Sequence, residues 1–125
     1  MRYPDPTPQD VHDGLLAARA LMNGRGGEHW IQRRYRQKRW FRRRGGGGYE
    51  VCRCSSEAID VTAGRNFKLR TAMLVALTRT LGHRRKNNQA RGNVIVEWND
   101  RAERTWADVS AAFRKAARDA LRGRS

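Results

Sequence analysis

A chain of 125 residues is long enough for one domain with a modest core and excludes two independent ones. Its 27 Lys plus Arg against 12 Asp plus Glu leave a net charge of +15, an excess that works against a compact state unless a polyanion relieves it. No apolar run approaches the roughly 20 residues of a bilayer span, and the opening MRYPDPTPQD lacks an apolar signal core, so a cytoplasmic protein with no membrane partner is expected.

The charge sits in two blocks: residues 30–44 carry +8 and residues 67–92 carry +7 without an acid, while the segments between and around them are near neutral. Arginine supplies 23 of the 27 cations. Guanidinium suits phosphate and guanine edges, although a GC-rich coding sequence gives the same bias without selection for binding.

In chain order, PQDVHDGLLAARALMNG predicts a first helix. Val11, Leu15, Ala18 and Met22 recur at i, i+4, i+7 and i+11, with Pro8 and Asp10 near the start and Asn23-Gly24 as the stop. After the punctuation of GRGGEH comes residues 30–48, a basic-aromatic arm or hairpin with a Gly-rich turn. Arg33, Arg34, Arg36, Lys38, Arg39, Arg42, Arg43 and Arg44 are interleaved with Trp30, Tyr35, Trp40 and Phe41 and followed by four glycines. A strand returning through the glycines to YEVCR suits Tyr49, Val51 and the preceding aromatics, but Ile31, Tyr35 and Lys38 also fit helical spacing. Charge runs are commonly just solvated loops. Four large rings argue otherwise, because a nucleic-acid surface needs cations for phosphates and flat faces for bases.

Cys52 and Cys54 form a CRC pair too close for a relaxed disulfide in a strand. A zinc site including His12, His29 or His83 would need two further ligands that no spacing motif supplies, so free thiols and no metal are expected. Ser55 is expected to cap a short helix, SSEAIDVTAG, ending at Gly64. NFKLRTAMLVALTRTLG is apolar around much of its circumference (Phe67, Leu69, Met73, Leu74, Val75, Leu77, Leu81) and predicts the most buried helix. Residues 82–92 follow as a basic loop whose Arg84, Arg85 and Lys86 either meet phosphates or complement the negative end of the helix dipole.

NVIVEWND predicts a strand with Val94, Val96 and Trp98 on one face, Trp98 filling the core, and a turn at Asn99-Asp100 in which Asp100 pairs with Arg101 or Arg104. Thr105 and Asp108 make a capping box for a last helix with the stripe Trp106, Val109, Phe113, Ala116, Ala117 and Ala120. The sum is a small single α+β domain, three main helices packed with a short antiparallel sheet or hairpin.

Catalytic chemistry is not expected. Glu97 or Asp100 could serve as an acid-base group only with partners, and no Ser/His/Asp set or metal spacing accompanies them. The GGGG run lacks the Lys-Ser/Thr of a phosphate-binding loop. No cofactor is implied.

Trp30-Ile31-Gln32, Cys54 before Ala58-Ile59, and above all Trp98-Asn99-Asp100 followed by Arg104-Thr105 resemble a family of small uncharacterised proteins from actinobacteria and their phages, over about residues 11 to 120. The resemblance implies an α+β domain and assigns no activity and no site. It also implies that the arginine-rich arm is a local elaboration, the family's middle loop being shorter and less basic.

Two functional readings follow. In one, the chain is a non-enzymatic nucleic-acid-binding protein of little sequence selectivity. The eight arm cations with Arg84, Arg85 and Lys86 hold phosphates, and Tyr35, Trp40 or Phe41 stacks on a base or wedges a groove. RNA, ribosomal RNA included, stands nearly level with DNA as the partner. In the other, it is a phage-type interaction factor whose arm docks on a host protein, Trp, Tyr and Arg being the residues enriched at interface hot spots.

Overall fold

The computed structural model describes residues 3–123. Among them five helices and one antiparallel hairpin form an α+β domain: α1 (Pro8–Asn23), β1 (Arg36–Arg43), β2 (Gly46–Arg53), α2 (Ser55–Ala63), α3 (Phe67–Thr80), α4 (Asn88–Asn99) and α5 (Trp106–Leu121).

The two helices with the cleanest 3.6-residue periodicity pack on each other. α1 buries Val11, Leu15, Ala18 and Met22, and α5 buries Val109, Phe113, Ala116, Ala117 and Ala120; α1 and α5 share the most extensive helix–helix contact, and the alanines are what let the axes approach. Ile59 of α2, Met73, Leu74 and Leu77 of α3 and Ile95 of α4 complete the core. Both outer helices open on reciprocal capping boxes, Thr7 with Asp10 and Thr105 with Asp108, each cap worth about 0.5–2 kcal/mol. The backbone and side-chain hydrogen bonds from Thr105 hold the Asp108 carboxyl below its usual range. No described helix is long and apolar enough to cross a membrane.

Four expectations are corrected. The expected strand over residues 93–100 is the second half of α4, which also takes up residues 88–92 of the expected basic loop. Asn87 caps it, its side chain accepting the Ala90 N–H. The buried positions 94, 95 and 99 lie on one side of a helix, whereas a strand would split them between faces. Trp98 is half-buried rather than central, with the Arg104 guanidinium 4.3 Å over its ring; Asn99 is the fully buried residue of the motif. Phe67, at the first turn of α3, is 65% exposed. Ser55 does not cap α2, where Cys54 holds the N-cap position without a side-chain bond; the Ser55 N–H and hydroxyl both go to Asn99.

Candidate nucleic-acid interface

The glycine run turns the chain early. Arg44-Gly45 form the turn, so Gly46–Gly48 are already in β2, and the register pairs Arg43 with Gly46, Trp40 with Tyr49, Lys38 with Val51 and Arg36 with Arg53. Alternation along each strand then sorts the side chains onto two faces. One row holds Gln37, Arg39, Phe41 and Arg43 with Glu50 and Cys52; the other holds Arg36, Lys38, Trp40 and Arg42 with Tyr49 and Val51.

The first row anchors the hairpin on the segment after α1. The Arg43 guanidinium donates to Glu28 at 2.6 Å and to Glu50 at 2.5 Å and lies 4.8 Å over the Phe41 ring. Phe41 meets the His29 ring edge-on at 5.3 Å, and His29 Nε2–H donates to Glu50 Oε1 at 2.7 Å. These bonds hold the Glu50 carboxyl down at about 2, with Arg43 the larger cause and His29 the second, and they lower Glu28 as well. Arg43 and Phe41, both expected on the nucleic-acid surface, are therefore structural. Glu28, His29 and Glu50 also lie close enough together to hold a metal ion, but the Arg43 guanidinium already engages the carboxylate oxygens of Glu28 and Glu50, and His29 Nε2 is bonded to Glu50. Cys52 and Cys54 are free and buried, and burial pushes both thiols up, so they stay protonated.

The base of the hairpin is pinned by the Trp-Asn-Asp motif. Asn99 Oδ1 accepts from Trp30 Nε1 (2.8 Å), the Ser55 N–H (3.1 Å) and the Ser55 hydroxyl (2.7 Å), while Nδ2 donates to the Ile31 carbonyl (3.0 Å). Gln32 Nε2 donates to the Asn99 carbonyl at 2.9 Å and the Arg101 carbonyl at 2.6 Å. Asp100 pairs with neither Arg101 nor Arg104 as expected; its Oδ1 accepts the backbone N–H of Arg33 at 2.8 Å, which holds that residue at φ 65°. The Tyr35 hydroxyl donates to Asp60, which also receives Arg70 Nε at 2.6 Å, and desolvation first, then Asp60, push the phenol up. Tyr35 is 51% exposed but tethered at its hydroxyl end.

The second row is unencumbered. Trp40 is 61% and Tyr49 72% exposed, the two rings meeting edge-to-face at 5.3 Å. Gly47 permits this: a Cβ there would lie 2.8 Å from Trp40 Cζ2 and 2.7 Å from the Phe41 carbonyl oxygen. Arg33, Arg34, Arg36, Lys38, Arg39, Arg42 and Arg44 are all exposed, and among the described residues none of them forms an ion pair. The nearby carboxylates are already committed: Glu28 and Glu50 to Arg43, Glu57 to Arg53, Asp60 to Arg70.

The sequence marks Tyr49 only as a strand former. Its place opposite Trp40 follows once the turn is set at Arg44-Gly45, and four consecutive glycines leave that setting open in the sequence. The second basic block is separate. Arg84, Arg85 and Lys86 are exposed between α3 and α4, at the end of α4 opposite to Asn99, and a 12-residue helix spans about 18 Å.

Residues 5–119 match the model of DUF6197, described as a family of unknown function, and the chain belongs to that family. No curated protein and no solved structure matches it.

Proposed function

We propose that this member of a family of unknown function is a non-enzymatic, cytoplasmic nucleic-acid-binding protein that holds DNA or RNA on the outer face of its hairpin. The observation that carries the reading is the sorting of the arm. Arg43 and Phe41 are spent inward with the carboxylates, while Arg36, Lys38 and Arg42, exposed and in no ion pair among the described residues, share the outer face with the exposed Trp40–Tyr49 pair. Arg36, Lys38 and Arg42 recur every second residue on one face, suiting phosphates along a backbone. Trp40 and Tyr49 offer the flat surface on which bases stack whatever their identity. A two-stranded ribbon also fits the major groove of B-form DNA. Flexible cations and stacking rings confer little sequence selectivity. Arg84, Arg85 and Lys86 supply a second region of phosphate contact beyond α4.

Salt titration of oligonucleotide binding tests this. On duplex DNA log K should fall with log salt by roughly 0.9 per phosphate contact. Trp40→Ala should cost about 1–3 kcal/mol on single strands with the slope unchanged, since stacking releases no counterions. A flat salt profile sinks the proposal. Retention of a host protein that survives nuclease treatment, together with that flat profile, would make the arm a protein-docking element.

A further inference from the structure

The C-terminal end of α3 and the first turn of α4 enclose a concavity of about 170 Å3 lined by Arg79, His83, Arg84, Arg85 and Arg91. An adjoining one of about 510 Å3 shares Arg79, His83 and Arg84. Among the described residues no carboxylate lines either. The walls are fixed in place: Gly82, at φ 87°, ends α3 with its N–H on the Arg79 carbonyl (3.0 Å) while the His83 N–H reaches back to the Thr78 carbonyl (2.9 Å). This paired closure folds His83, Arg84 and Arg85 back over the helix end. Across the gap, Arg91 Nη1 donates to Asn88 Oδ1 at 2.8 Å, and the first turn of α4 holds no acid.

The dipole at the end of α3 accounts for one or two cations beside it. It does not account for Arg91, which sits in the opening turn of a helix, where the dipole repels it. Arg84 and Arg85 from the loop after α3 and Arg91 from α4, brought to one concave space that no acid lines among the described residues, match a doubly charged anion. We propose that this concavity is a binding site for a phosphate monoester, either the terminal phosphate of a nucleic-acid strand or a free phosphorylated small molecule. The proposal specifies the ligand chemistry of the second basic region and does not depend on the hairpin.

The test is titration of the full chain with inorganic phosphate, followed by amide NMR, against sodium chloride at matched ionic strength. The amides of Gly82, His83 and Arg84 should shift saturably, with a dissociation constant on the order of 1 mM. Arg84→Gln with Arg85→Gln should weaken that binding about tenfold, the loss of charge-assisted bonds. Arg91→Gln, on the other wall, should weaken it in the same direction. Shifts that grow linearly and equally with chloride, or saturation that both variants leave unchanged, would overturn the site. A 5′-phosphorylated oligonucleotide that binds more tightly than its 5′-hydroxyl twin identifies the source as a strand end; equal binding with saturable phosphate identifies a free phosphomonoester. The hairpin variant Lys38→Gln with Arg42→Gln should lose oligonucleotide binding yet keep phosphate saturation, so either reading can fail without the other.

Discussion

Asn99 shows how one buried amide can hold an arm to a helical body. It receives three donors from Trp30 and Ser55 and gives its amide N–H bonds to the Ile31 carbonyl and Asp100 Oδ1, so it ties the chain entering β1 and the chain leaving β2 to the end of α4. Orphaning a buried polar group costs about 1–3 kcal/mol. Asn99→Ala should therefore destabilise the protein by about 2–5 kcal/mol in urea unfolding, more than truncation of the half-buried Trp98 beside it. Asn99→Asp should not rescue the loss, because a carboxylate keeps the acceptor but cannot donate to the Ile31 carbonyl. Equal stability of Asn99→Ala and wild type would mean the network is dispensable. Arg42 and Arg43 make a second contrast at this scale. They are adjacent in sequence but on opposite faces, so Arg42→Gln should weaken polyanion binding with melting unchanged, while Arg43→Gln should lower the melting temperature by leaving Glu28 and Glu50 without their shared cation.

At the scale of the hairpin, the same ion pairs predict a response to acid. Glu50 sits at about 2 in the folded chain against an ordinary 4.5. A depressed carboxyl contributes stability above its unfolded value and loses it as pH falls through the folded one. The arm should thus loosen from the body between about pH 4.5 and pH 2, visible as loss of the ring-current shifts that Phe41 and His29 impose on each other. Glu50→Gln should remove that transition in the window. An unchanged acid transition in Glu50→Gln would place the titrating group elsewhere. The hairpin itself is legible in the sequence, because four glycines between β-prone residues have few other uses, and α1 and α5 are legible because apolar period and capping boxes agree. α4 is not. Asn93-Val94-Ile95-Val96 is a short apolar run that suits either period, and the signal that decides, Asn87 as N-cap, sits inside the tract that reads as a basic loop. The two faces of the arm were equally hidden: Arg43 differs from Arg42 only because Glu28 and Glu50 arrive from elsewhere in the chain.

For the whole molecule, a charge of +15 on 125 residues sets salt against itself. In the free protein the exposed cations of the arm and of the α3–α4 loop repel one another, and added salt screens that repulsion, the Debye length falling from about 10 Å at 0.1 M to about 3 Å at 1 M. The half-buried Arg43 pairs are screened less than surface charges, so the repulsive component weakens first. Calorimetric melting of the free chain should therefore rise by a few degrees from low salt to about 0.5 M, roughly what 1 kcal/mol yields in a domain of this size. Over the same range oligonucleotide affinity should fall, because the cations that repel one another in the free state are those that displace counterions from phosphate. At low salt a bound oligonucleotide should raise melting further than salt alone, by linkage to the folded state. A melting temperature that falls with salt in the free chain would show that ion pairs outweigh repulsion, and with it would go the argument that this surface is held in wait for a polyanion.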